Sequence, residues 1–105
     1  MTDAQPLDVL MRWYRSHCDG SWEHQHGIWI ETLDNPGWRL VIDLNDTELA
    51  KAPFESVQSN IDDQNLWWRC WRTDTSFNAA CGPEILTIVI KTFIAWVEMN
   101  ASKPE

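Results

Sequence analysis

Positive charge is scarce in this chain. Its 105 residues hold 8 lysines and arginines against 16 aspartates and glutamates, for a net charge of −8. A field of that sign repels phosphate backbones, which argues against direct nucleic-acid binding, and it draws in a basic partner. Glycine is rare as well, with 4 residues, and none of them stands in a Gly-rich loop of the kind that cradles phosphate. The longest mostly apolar run, Ile85 to Val97, is interrupted by Thr87, Lys91 and Thr92. It falls short of the roughly 20 apolar residues that a membrane-spanning helix needs. Met1 to Pro6 carry neither the basic cluster nor the apolar core of a secretory signal. Cys18, Cys70 and Cys81 are odd in number and match no disulfide or metal-binding spacing. These absences lead to the expectation of a cytoplasmic protein without a cofactor.

What the chain has in excess is tryptophan. Eight occur, at positions 13, 22, 29, 38, 67, 68, 71 and 96. Tryptophan fills small cores efficiently and also anchors protein interfaces, so most should be core and a few should not. Hydrophobic residues make up 44% of the sequence, enough for a folded core and too many for a disordered polymer. The length fits one domain, residues 1–105 with a core of about 6–99, large enough to stand without a disulfide or metal.

Periodicity divides the chain. Leu7, Leu10, Met11 and Tyr14 follow Pro6 at helical spacing, and Asp19-Gly20 is a breaker pair. From Gly27 the period becomes two: Ile28, Ile30 and Thr32 share one face, and Trp29, Glu31 and Leu33 the other. After Asp34-Asn35-Pro36-Gly37, Trp38, Leu40, Ile42 and Leu44 alternate with Arg39, Val41 and Asp43, which predicts a hairpin with one packed face. Further strands are expected over Phe54 to Ile61, Leu66 to Arg72 and Ser76 to Cys81. Gly37 and Gly82 are expected to serve turns with unusual backbone angles. A helix over Glu84 to Met99 presents Leu86, Val89, Ile90, Phe93, Trp96 and Val97 as a broad stripe, and Asn100 to Glu105 should fray. The sum is a two-layer α+β domain of about five antiparallel strands, with an N-terminal and a C-terminal helix on one face.

Two groups of residues invite chemistry. His17, Cys18, Asp19, Glu23, His24 and His26 are dense in potential metal ligands. No second ligand pair at a fixed separation completes a zinc site, so ordinary loop histidines are the simpler reading and a metal-binding protein or small enzyme the alternative. Cys81 precedes a helix start that could activate a thiol, yet Asn78, Ala79 and Ala80 supply no base. The segment Trp67-Trp68-Arg69-Cys70-Trp71 sets Trp67 and Trp71 on one strand face and Trp68 on the other. Either both sheet faces are covered or one set of tryptophans is exposed for a partner.

Across these same segments the chain resembles the immunity protein 53 family. Trp13-Tyr14, Cys18-Asp19-Gly20, Trp22-Glu23-His24, Gly27 and Thr32-Leu33-Asp34-Asn35-Pro36-Gly37-Trp38 carry the resemblance, with Cys81-Gly82-Pro83 and the helix bearing Phe93 and Trp96. The resemblance implies an α+β fold, no catalytic residues, and a bacterial polymorphic-toxin system. There the immunity protein binds a cognate toxin domain and neutralises it by occlusion. A basic toxin would be steered by the acidic field and held by aromatic anchors. Residues expected to meet it are Glu31, Asp34, Asp43 and Asp46 around Trp29, with Trp22 and Glu23 as a structural or partner-facing corner. Glu31 and Asp43 should lie on the sheet face opposite Trp38, Leu40 and Ile42.

Overall fold

The computed structural model describes residues 5–101. Helix α1 spans Pro6–His17, with Pro6 in the first turn where its missing N–H costs no hydrogen bond, and Asp8 near the positive end of the dipole. A single turn, α2, follows at Trp22–Gln25. Strands β1, Ile28–Leu33, and β2, Gly37–Asp43, form the expected hairpin, with a cis Asn35–Pro36 bond in its turn. Then come β3, Val57–Ser59; β4, Trp68–Arg72; β5, Ser76–Cys81; and α3, Leu86–Ala101.

The five strands make one antiparallel sheet in the order β1-β2-β5-β4-β3. Strand β5 is thus central, although it is last in sequence. Its Phe77, Ala79 and Cys81 stand in register with Ile42, Leu40 and Trp38 of β2 on one side and with Arg72, Cys70 and Trp68 of β4 on the other. That face is the packed one. Phe77, Leu40, Ile42, Ala79, Cys81 and Cys70 are all buried there. Alanine and cysteine are small, so α3 settles closely on β5 and β4. Helix α1 packs beside α3, and both helices belong to the same core on this face.

Aromatic rings fill the space between the layers. Phe93 of α3 lies 5.1 Å from Phe77, 5.1 Å edge-on from Trp13 of α1, and 6.2 Å from Trp96. Phe54, from the segment before β3, lies 5.1 Å from Trp96 and 5.3 Å from Phe77. Each buried indole finds a polar partner at the edge of this core. Trp13 donates to Glu48, Trp22 to the Asn45 carbonyl, Trp38 to the Pro83 carbonyl and Trp96 to the Pro53 carbonyl, each at 2.9 Å. Each bond offsets the desolvation that an unpaired buried N–H would cost, about 1–3 kcal/mol.

Three boundaries differ from the sequence expectation. The third strand has three residues in place of Phe54 to Ile61, because Phe54 turns inward to the aromatic core and Asn60 adopts a left-handed conformation. The fourth starts at Trp68, since Asp63 caps a turn by accepting from the backbone N–H groups of Asn65 and Leu66. The last helix begins at Leu86 and continues through Asn100 to Ala101, beyond the expected end at Met99; the rest of the expected frayed tail lies outside the described residues. Gly37 and Gly82 also serve a different purpose from the one expected. Neither has a positive φ; a Cβ on Gly37 would collide with the Cys81 carbonyl oxygen, and one on Gly82 with the Asn65 carbonyl oxygen. These glycines permit close backbone approach.

A charged network ties the loops to this frame. Glu48 accepts from the Trp13 indole and meets His17 Nε2 at 2.8 Å, while His17 Nδ1 reaches the Trp13 carbonyl at 2.9 Å. Partial burial opposes ionisation of Glu48, but the bonds from Trp13, the backbone and His17 outweigh it and hold the carboxyl below its ordinary range. Asp19 is lowered too, by the backbone N–H groups of Trp22 and Ser21 that it caps.

Phe93→Ala should lower stability by about 3–5 kcal/mol, by removing the ring that joins both helices to the sheet. An unchanged denaturant midpoint would contradict this packing. The sign of the Glu48 effect follows from its lowered value: its contribution is complete above the ordinary carboxylate pKa of about 4 and disappears as pH falls through the native value. The difference in thermal midpoint between wild type and Glu48→Gln should therefore shrink on acidification below about pH 4. A difference that persists unchanged at low pH would contradict the account.

Candidate partner-binding surface

Both long helices lie against one face of the sheet, so the side chains that alternate away from it form a second, uncovered face. The strand registers arrange these side chains in rows. Trp29 stands opposite Val41, Val41 opposite Asn78, and Asn78 opposite Trp71. The next row runs Glu31, Arg39, Ala80, Arg69 and Gln58 across all five strands. Trp29 is 53% exposed, an unusual state for a side chain of such apolar area. Asn78 is buried at the centre of its row, and its amide donates to Ser76 Oγ at 2.9 Å.

Charges on this face are partly matched. Arg39 donates to Glu31 at 2.7 Å, with both side chains about half exposed. Asp43 meets His26 Nδ1 at 2.8 Å, and both are mostly buried. Arg69 places its guanidinium 4.9 Å from the centroid of the Trp71 ring, a cation–π arrangement. At the β1 edge the apolar surface continues. Leu7, Met11 and Tyr14 of α1 are exposed beside Trp29 and Ile30, and a shallow groove of about 390 Å³ runs between helix and strand.

The expected partner-binding residues are distributed unevenly over this geometry. Glu31 and Asp43 lie on the side opposite Trp38, Leu40 and Ile42, but Arg39 and His26 already occupy them. Asp34 is exposed in the hairpin turn, and Asp46, beyond β2, is exposed with His26 Nε2 3.7 Å away. Trp22 is buried in the core, so it fills the structural half of its expected role. Glu23 accepts from the backbone N–H groups of Asp19 and Gly20, closing the turn into α2. Arg69 and Trp71 form a pair that was not among the expected partner-binding residues. Their spacing of two on a strand was the available signal, since it sets both on one face.

The histidine-rich segment does not converge. His17 is turned to Trp13 and Glu48, His26 to Asp43, and His24 is exposed. Among the described residues no three His, Cys, Asp or Glu side chains are grouped as metal ligands. The buried cysteines are poor nucleophiles at neutral pH. Burial pushes the Cys81 thiol up to about 11, and burial with Cys81 nearby pushes Cys70 up to about 12. Nor does any helix among the described residues have the length and apolarity to cross a membrane.

No curated protein and no solved structure matches this chain. The model of one family does, described as immunity protein 53, and it matches residues 7–98. That stretch runs from the first turn of α1, through every strand of the sheet, into the last turns of α3. The helices, the hairpin and the exposed tryptophan edge all fall within it, and the chain belongs to the immunity protein 53 family.

Proposed function

We propose that this protein binds a cognate toxin domain and neutralises it by occlusion, without turnover. Membership of an immunity protein family across residues 7–98 is the observation that carries this reading. The uncovered sheet face supports it physically. A five-stranded sheet with helices on one side leaves apolar side chains in water on the other, and a partner that covers them recovers their burial energy. The excess of 16 acidic over 8 basic residues supplies the long-range attraction to a basic toxin. Exposed Asp34, Asp46, Asp62 and Asp63 surround the sheet on its loops, where they steer association without being buried.

Affinity then comes from the aromatic anchors. Trp29 offers the largest exposed apolar side chain on β1, continuous with Met11 and Leu7 of α1. As an interface anchor worth about 2 kcal/mol, its loss should speed dissociation more than tenfold and leave association nearly unchanged. Co-expression with the toxin domain encoded by the adjacent gene is the direct test. Wild type should rescue growth and co-purify with the toxin, Trp29→Ala should co-purify poorly, and Cys81→Ser should neutralise fully. Failure of the wild type to bind or protect would contradict the proposed function.

A further inference from the structure

The charges of the open sheet face leave one residue over. Glu31 answers Arg39 and Asp43 answers His26, whereas Arg69 has no carboxylate partner among the described residues. Its register neighbours, Ala80 and Gln58, carry no charge. Arg72, three positions on, shows the contrast. It turns to the other side and donates to the carbonyls of Leu49, Ala50 and Ala52, pinning the segment before β3. Arg69 is exposed, and its guanidinium rests over Trp71, which restrains it without using its donors.

Building on the toxin-binding reading, we propose that Arg69 on its Trp71 platform fixes partner specificity, by taking an Asp or Glu carboxylate of the toxin surface. The carboxylate sits among apolar atoms that cover Val41 and Trp29, in the row alongside. A guanidinium fork matches a carboxylate with two parallel hydrogen bonds, and closure of the interface removes the water that otherwise weakens them. The local requirement is thus opposite in sign to the global one. The chain as a whole attracts a basic surface, and Arg69 accepts only a register that brings an acidic group to it. A partner without that carboxylate would bury an unpaired guanidinium, so wrong toxins are rejected at this position. Charge also selects the occupant. A nucleic-acid strand would bring phosphates against a protein of net charge −8, and a second copy would bring the same −8 to the interface.

Binding of the full chain to the catalytically inactivated toxin domain encoded by the adjacent gene tests this. Arg69→Gln keeps a planar group on Trp71 but removes the charge, and should weaken binding at least tenfold, chiefly by faster dissociation. Arg69→Glu should weaken it further, and one Asp or Glu→Arg substitution on the toxin should restore binding to Arg69→Glu while weakening it for wild type. Thermal midpoints should stay at the wild-type value, because the side chain is exposed. If both Arg69 variants bind within twofold of wild type, this proposal is overturned and the toxin-binding function stands. If the wild type fails to bind the toxin, the functional reading falls and this proposal with it. Binding of a labelled single-stranded RNA oligonucleotide, or self-association, that is lost in Arg69→Gln would also overturn it, by assigning the face to another occupant.

Discussion

Phe93 sits where α1, α3 and the central strand meet, and the ring contacts it makes with Trp13, Phe77 and Trp96 connect every layer of the molecule. Because both helices converge on that ring, they cover the same side of the sheet. Everything else follows from this one-sided burial. The strands alternate, so one set of side chains is committed to the aromatic core and the other set is left to solvent. In a chain rich in tryptophan, the second set includes Trp29 and Trp71. The fold builds its core and exposes its aromatic surface by the same act of packing.

Much of this was legible in the sequence, and the misses have physical causes. The hairpin was readable because two β-rich runs, Ile28 to Leu33 and Trp38 to Asp43, flank turn residues, and Leu40 and Ile42 sit between Arg39 and Asp43. Both long helices were readable from their apolar stripes. The segment from Phe54 to Trp67 was not, because its geometry is set by tertiary contacts. Phe54 answers to Trp96 and Phe77, and the loop after Ser59 is closed by Asp63 bonds that local periodicity does not encode. The α2 turn was missed for a related reason. Its Trp22 is ordered by burial and by a bond to Asn45 rather than by helix propensity across four residues. For the surface, alternation correctly placed Glu31 and Asp43 away from the core. Arg39 follows as the cross-strand partner of Glu31 once the hairpin register is known, whereas His26, the partner of Asp43, is seventeen residues distant and no spacing rule reveals it.

Electrostatics divides into two scales. Across the whole chain, the proposed function uses the acidic excess to attract a basic partner. At the sheet face, Arg39 and His26 engage the obvious carboxylates, and Arg69 rests on an indole with no carboxylate partner among the described residues. Long-range charge governs association, while desolvated local charge and aromatic burial govern how long a complex lasts. The proposed toxin-binding function makes both demands, fast encounter and slow release.

The eight indole N–H groups offer the most direct test that the open sheet face is the docking surface. Trp13, Trp22, Trp38 and Trp96 donate to internal acceptors, whereas Trp29 and Trp71 lie on the uncovered face. Each indole gives its own signal in a nitrogen–proton correlation spectrum. On titration with the inactivated toxin domain, the Trp29 and Trp71 indole signals should shift or broaden together, with the four internally bonded ones nearly unmoved. Saturable binding that leaves Trp29 and Trp71 in place while others move would contradict the assignment of this face.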